Sequence, residues 1–273
     1  MSVNNKLRVV LLTGSHPRHL HVARTLYDAG LLTAVMVEER ENFTPDPPPG
    51  LLHIDQENFI RHFHDRDEAE RRFFGEEKLK ELPSDLPVLK VSLAELNSDK
   101  VKEWVLSHQP DHVLTYGVHK ISDELLSSFP KYSWNIHGGL SPWYRGNITL
   151  FWPFYMLRPN WAGMTIHYLT AQLDGGAIVH HSVPELHRGD GVHDVACRAV
   201  MQVADDIVQI LQQRAEGREF PGTPQKSSGK LFVGTDWHPQ HLRVVYNLYN
   251  NDIVDRYLDG EISSPPPPLV TVL

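Results

Sequence analysis

Residues 7–13 read LRVVLLT, a nearly continuous run of β-branched residues and leucine, the pattern of a strand buried on both faces of a parallel sheet. The run stops at Gly14-Ser15. From 17 to 29 the apolar residues Leu20, Val22, Ala23 and Leu26 recur at helical spacing, Gly30 ends the helix, and 32–37 (LTAVMV) reads as a second strand. The chain therefore opens on a strand, helix, strand unit. The alternation continues with strands expected at 87–91, 111–116 (DHVLTY), 133–137 (SWNIH), 163–169 and 177–183, and helices at 93–108, 122–128 and 192–213. This order predicts an α/β fold: a Rossmann-like, mostly parallel sheet with helices on both faces.

Two stretches break the rhythm. Residues 41–87 are polar and proline-containing and read as an insertion with one or two helices. Within it 65–80 (DRDEAERRFFGEEKLK) reads as a solvated helix face anchored by Phe73 and Phe74. After Gly217 the Gly/Pro/Ser-rich connector FPGTPQKSSGK leads to a short strand at 231–233 and a helical patch at 239–258. The expected division is a catalytic domain at 1–217 and a small C-terminal region at 218–273, ending in an extended SSPPPP tail at 263–268.

Composition narrows the function. With 41% hydrophobic and 22% charged residues the 273-residue chain reads as an ordinary globule, large enough to bury a sizeable core. A net charge of -8 withholds the positive field that draws proteins to phosphate backbones, so nucleic acid is not the expected partner. A single cysteine, Cys197, suits a reducing compartment, and no apolar run has the length of a signal peptide core or a membrane span. Cytoplasmic location, with no membrane partner, is the expectation. Seventeen histidines invite a metal, yet His180-His181, His62-Phe63-His64 and His238 to His241 lack zinc-ligand spacing, and none is expected. Gly14-Ser15 reads either as a phosphate cradle at a helix N-terminus or as a plain turn; the dinucleotide GxGxxG pattern is absent.

The strongest chemical signal is WNIHGGL at 134–140. Asn135 and His137 stand two apart on a strand and project to one face, so both can meet one substrate. The loop that follows (SPWYRG, 141–146) lies at the carboxyl end of that strand, where open α/β sheets bind ligands. Further on, Asp174 sits beside Gly175 and Gly176, which permit close backbone approach, and can orient His137.

Together NIH, GLSPWYRG and TIHYLTAQLDGG resemble the 10-formyltetrahydrofolate-dependent formyltransferases. Their pattern is NIH, then a loop of proline, aromatic, basic and glycine residues, then LDxG. The likeness covers roughly residues 7–185; Gly138-Gly139 and Ser141 stand where the family usually has Pro-Ser and Leu. The resemblance implies that Asn135, His137 and Asp174 are the catalytic triad and that 10-formyltetrahydrofolate is the co-substrate. It also implies that Val118, His119, Lys120 and Ile121, with Thr170, Ala171, Gln172 and Leu173, lie against the pterin. His167, seven residues before Asp174, is either a supporting contact or a core position.

The chemistry needs such a trio, because an amine attacking a formyl carbon builds negative charge on the carbonyl oxygen and must lose a proton. A positioned donor such as Asn135 is worth about 10²–10³ in rate. His137 can bond the same oxygen or help move the proton, worth about 10²–10⁴. Which does which stays open. Trp143, Tyr144 and Arg145 offer a flat surface and a cation for an acceptor, expected to be a primary amine on a nucleotide-linked amino sugar. The aromatic C-terminal region would add a pocket wall or a homodimer contact. Two readings compete with N-formylation: hydrolysis of formyl-folate by water at the same triad, and a folate-fold binding module. The hydrolases carry a regulatory domain before this fold, whereas the first strand here starts at Leu7; an intact triad speaks against the binding module. Formylation of a tRNA is disfavoured by the acidic chain and the short stretch after Gly217.

Overall fold

The computed structural model describes residues 7–39, 44–75, 82–226 and 229–273. Parts of the expected insertion and of its charged helix (40–43 and 76–81) lie outside the described residues. Among the described residues the strands are β1 (Val9–Gly14), β2 (Leu32–Glu38), β3 (Val88–Val91), β4 (His112–Tyr116), β5 (Tyr132–His137), β6 (Tyr144–Gly146), β7 (Met164–Tyr168), β8 (Ile178–Ser182) and β9 (Lys230–Phe232). The α-helices are α1 (Pro17–Asp28), α2 (His53–Phe74), α3 (Asp99–Ser107), α4 (Asp123–Ser127), α5 (Trp152–Tyr155), α6 (Val192–Ala215) and α7 (Ile253–Leu258).

The main sheet runs in the order β3-β2-β1-β4-β5-β7-β8, with β3 to β5 parallel and β7 and β8 antiparallel. The opening run explains the layering. Val9 and Leu11 point to the face covered by α1 and α6, Val10 and Leu12 to the face covered by α3 and α4, and all four are fully buried. Strand order reverses between β1 and β4, which opens a crevice at the carboxyl ends of the parallel strands.

The helical pattern expected from 93 starts instead at Asp99. The Ser92 amide and hydroxyl both bond Glu95 Oε2, closing a turn that Leu93 and Leu96 imitate as helical spacing. Phe74 ends α2 buried in the main core and Phe73 packs against it, as the charged segment suggested. The patch expected as helix at 239–258 is broken into short turns before α7.

Residues 218–273 do not stand apart. Phe232, Leu242, Val245, Tyr246 and Ile253 share one core with Leu140, Tyr144, Phe151 and Trp152, and β9 pairs with β6. The tail docks along β8. Val270 donates to His181 Nδ1 at 2.9 Å and accepts from the His181 amide at 2.8 Å, Val272 donates to His180 Nδ1 at 3.2 Å, and the Trp161 indole donates to the Pro265 carbonyl at 2.8 Å.

Several histidines are structural. His112 is fully buried, stacked on Tyr132 at 5.1 Å and edge-on to Trp134 at 4.8 Å. Burial, aided by Arg214, lowers its pKa to about 4; burial likewise lowers His181 to about 4 and His193 to about 3. A base whose folded pKa is depressed binds its proton better in the unfolded chain. Its contribution to stability is whole above the unfolded value near 6.5 and is lost as pH falls toward the folded one. His112→Phe removes one such group. The slope of unfolding free energy against pH, read from urea melts between pH 6 and 4.5, should flatten by about 1.4 kcal/mol per pH unit; an unchanged slope would assign the acid sensitivity elsewhere.

Candidate active site

β5 lies where the sheet changes from parallel to antiparallel, so Asn135 has Thr115 of β4 as its register partner on one side and His167 of β7 on the other. His137, two residues on, faces the same way and is buried. The loop between β7 and β8 brings Asp174 to both, and its backbone takes the left-handed conformation (φ 47°) that aspartate tolerates better than most residues. Asp174 Oδ2 accepts from the Gly146 amide at 2.8 Å and stands 3.5 Å from His137 Nδ1; Oδ1 stands 3.5 Å from both Asn135 Nδ2 and His167 Nε2.

Asp174 is a buried carboxylate that stays ionised. Burial alone would raise its pKa, but His137, His167 and the Gly146 amide outweigh it and hold the value at about 2. In His137 the balance falls the other way: burial lowers its pKa against the pull of Asp174, and Arg145 and His167 add to the lowering. The imidazole is therefore neutral near pH 7. Its Nε2–H donates to the Tyr144 carbonyl at 2.8 Å, which leaves the Nδ1 lone pair facing Asp174. The tautomer is not set by Asp174. A backbone carbonyl sets it, and Asp174 instead stabilises whatever proton arrives on Nδ1.

His167 is a contact of the site. Its Nδ1–H donates to the Tyr168 carbonyl at 2.9 Å, and its Nε2 lies 3.2 Å from Asn135 Nδ2 and 3.5 Å from Asp174 Oδ1. Asn135 Oδ1 accepts from Thr115 Oγ1 at 2.7 Å.

The other expected positions are placed as follows. The Tyr144 ring is buried and stacks on Phe232 at 6.0 Å, and its carbonyl meets His137 Nε2. Trp143 is half-buried, edge-on to Trp161 at 5.2 Å, and Arg145 is buried near His137. The expected flat aromatic surface is thus mostly interior. Val118 is half-buried, Lys120 is exposed, and Ile121 belongs to the core under α3 and α4 rather than to an open pocket wall. The His119 amide bonds the fully buried Glu38 carboxylate at 2.9 Å, and its Nδ1 bonds the same group. Thr170, Ala171, Gln172 and Leu173 form an exposed loop running into Asp174. Gly14-Ser15 is the turn into α1, and a side chain at Gly14 would strike the His19 ring, which fills the crevice there.

The sequence reading missed Thr115, Glu38 and Gln225. Gln225, in the connector after Gly217, donates to the carbonyls of Asp174 and Gly176 at 2.8 Å each, so the C-terminal region holds the carboxylate loop. Among the described residues no three His, Cys, Asp or Glu side chains form a group that could hold a metal, and no helix is long and apolar enough to cross a membrane.

Known proteins share this fold. A sugar N-formyltransferase from a Shewanella species superposes with a TM-score of 0.55 at 14% identity, covering 88% of this chain and 87% of its own. Phosphoribosylglycinamide formyltransferase from Anaplasma phagocytophilum gives 0.54 at 18%, covering 84% and 98%. The formyltransferase PseJ from Anoxybacillus kamchatkensis, solved with UDP-4,6-dideoxy-4-formamido-L-AltNAc and tetrahydrofolate, gives 0.50 at 16%, covering 90% and 95%. At these identities the likeness is one of fold. The sequence itself goes further: residues 69–210, more than half of the chain and including Asn135, His137 and Asp174, match the family described as formyl transferase. The chain belongs to the formyl transferase family.

Proposed function

We propose that this protein transfers a formyl group from 10-formyltetrahydrofolate to the primary amine of a small acceptor, with Asn135, His137 and Asp174 at the reacting centre. The observation that carries this reading is the meeting of an ionised Asp174, a neutral His137 and the Asn135 carboxamide at the carboxyl ends of β5 and its neighbours. Asn135 Nδ2 donates to the formyl oxygen as charge develops there; His137 Nδ1, facing a fixed carboxylate, receives the proton lost by the attacking amine with Asp174 stabilising the imidazolium, and that proton passes to the folate nitrogen as its bond to the formyl carbon breaks. The exposed loop 170–173 and the segment after β4 at 117–120 supply the apolar and backbone surface a pterin needs, with Val118 and Leu173 as its side-chain contacts. Arg145 fixes the loop beside the acceptor.

The acceptor class is a nucleotide-linked amino sugar. PseJ, which shares the fold, was solved with a UDP-linked formamido sugar and tetrahydrofolate. Residues 218–273, which hold Asp174 through Gln225 and carry Phe232, form the acceptor side of the site or a contact with a second copy. The single buried cysteine fits a cytoplasmic enzyme.

Asn135→Ala and His137→Ala should each lower kcat by about 10² or more while folate binding persists, since both act on charge formed in the transition state. Near-normal turnover in either variant removes that residue from the mechanism. Asp174→Asn should lower the His137 pKa further, because the anion that favours the imidazolium is gone; an NMR titration of His137 that does not move rejects this role.

The pH profile separates protein from acceptor. Because burial holds the His137 pKa below the usual histidine value, His137 is already neutral above pH 7. Turnover at limiting acceptor should therefore keep rising toward the pKa of the amine, and the limb should move when an acceptor of different amine pKa is used. A limb that stays in place belongs to the protein. Removing the nucleotide should cut kcat/KM, because remote binding energy holds the amine in position. Equal activity on the free amino sugar rejects the nucleotide, and formyl-folate consumption at the same rate without amine replaces transfer by hydrolysis.

A further inference from the structure

A carboxamide is nearly symmetric in shape and opposite in polarity at its two ends. A 180° flip of Asn135 would exchange its donor for its acceptor with little steric consequence and would turn a lone pair toward an oxygen that needs a proton. Something must hold the amide one way round.

The structure shows a row of three side chains across three strands. Thr115, Asn135 and His167 are register partners on β4, β5 and β7. At one end the Tyr168 carbonyl accepts from His167 Nδ1 at 2.9 Å, and His167 Nε2 lies 3.2 Å from Asn135 Nδ2. At the other end the Thr115 hydroxyl, on a residue 1% exposed, donates to Asn135 Oδ1 at 2.7 Å. The Asp174 carboxylate, an acceptor only, lies 3.5 Å from Nδ2 and decides which end of the amide is nitrogen. Thr115 satisfies the oxygen and keeps the amide plane from turning. A bond accepted at Oδ1 also draws electron density from the amide and strengthens its N–H groups as donors.

We propose that Thr115 is a positioning residue for formyl transfer: its hydroxyl clamps the Asn135 carboxamide so that the second Nδ2–H is held toward the side where Asp174 Oδ1 lies 3.5 Å away. The clamp rests on the reading that Asn135 donates to the formyl oxygen. It is specific to a hydroxyl at this position, since an aliphatic side chain of the same shape would fill the space and leave Oδ1 without that donor.

The test compares Thr115→Val, Thr115→Ser and Thr115→Ala, each in the wild-type and the Asn135→Ala background, with kcat, both KM values and the thermal midpoint measured. The expected result is a fall in kcat of about tenfold for Thr115→Val, with KM for folate and amine within about twofold and recovery to within about threefold in Thr115→Ser. In the Asn135→Ala background Thr115→Val should change kcat no further, because there is no amide left to hold. If valine is not accommodated, as a collapsed thermal midpoint would reveal, Thr115→Ala makes the same comparison against serine. Unchanged kcat in both hydroxyl-free variants overturns the clamp, as does an equal loss with and without Asn135. If Asn135→Ala alone leaves turnover intact, the catalytic reading of Asn135 has failed and takes the clamp with it.

Discussion

A buried carboxylate must be matched by donors and positive charge, and in this molecule the groups around Asp174 are arranged to that end. One donor is the Gly146 amide, and Gly146 can present it because β6 lies flat against β9. A Cβ at Gly146, which sits at φ 90°, would come within 2.1 Å of the Phe232 carbonyl. The loop carrying Asp174 closes in the same way: a Cβ at Gly176 would lie 1.8 Å from the Tyr168 carbonyl, so only glycine lets the chain turn there. Gln225 then pins the Asp174 and Gly176 carbonyls from the far side. Fixing one charge thus commits the loop after β5, the loop before β8 and the C-terminal region to a single arrangement.

The layering was legible because it depends on local pattern. LRVVLLT fixes a two-sided strand by its own residues, and the Asn-x-His spacing puts two side chains on one face whatever lies around them. The antiparallel turn of β7 and β8 was not written in their apolar runs, which look the same in either direction. Nor were the groups that tune the site. The tautomer of His137 is set by a backbone carbonyl seven residues away, the orientation of Asn135 by a hydroxyl whose relevance depends on strand register, and the Asp174 loop by a glutamine from a connector that reads as a domain boundary. Nor was the stacking of the Tyr144 ring on Phe232, a residue distant in sequence, legible.

Histidine abundance divides along the same line. His112, His181 and His193 are held neutral by burial and serve packing and backbone pairing, whereas His137 and His167 are buried beside a fixed carboxylate. The residue type is common to both groups; what sets His137 apart is a fixed carboxylate beside Nδ1 together with its place next to Asn135 at the end of β5.

The docking of residues 265–272 along β8 has a consequence for the behaviour of the molecule in crowded solution. An outermost strand with free amides and carbonyls is a template on which another chain can extend the sheet. Here His180 and His181 take up backbone amides of the tail through their ring nitrogens, so side chains occupy positions that a neighbouring strand would otherwise fill. The layer now facing solvent begins with four consecutive prolines, Pro265 to Pro268, none of which can offer an N–H to an incoming strand. On that side the tail bonds inward to β8 and its four prolines offer no amide to an incoming strand, which hinders self-association through β8.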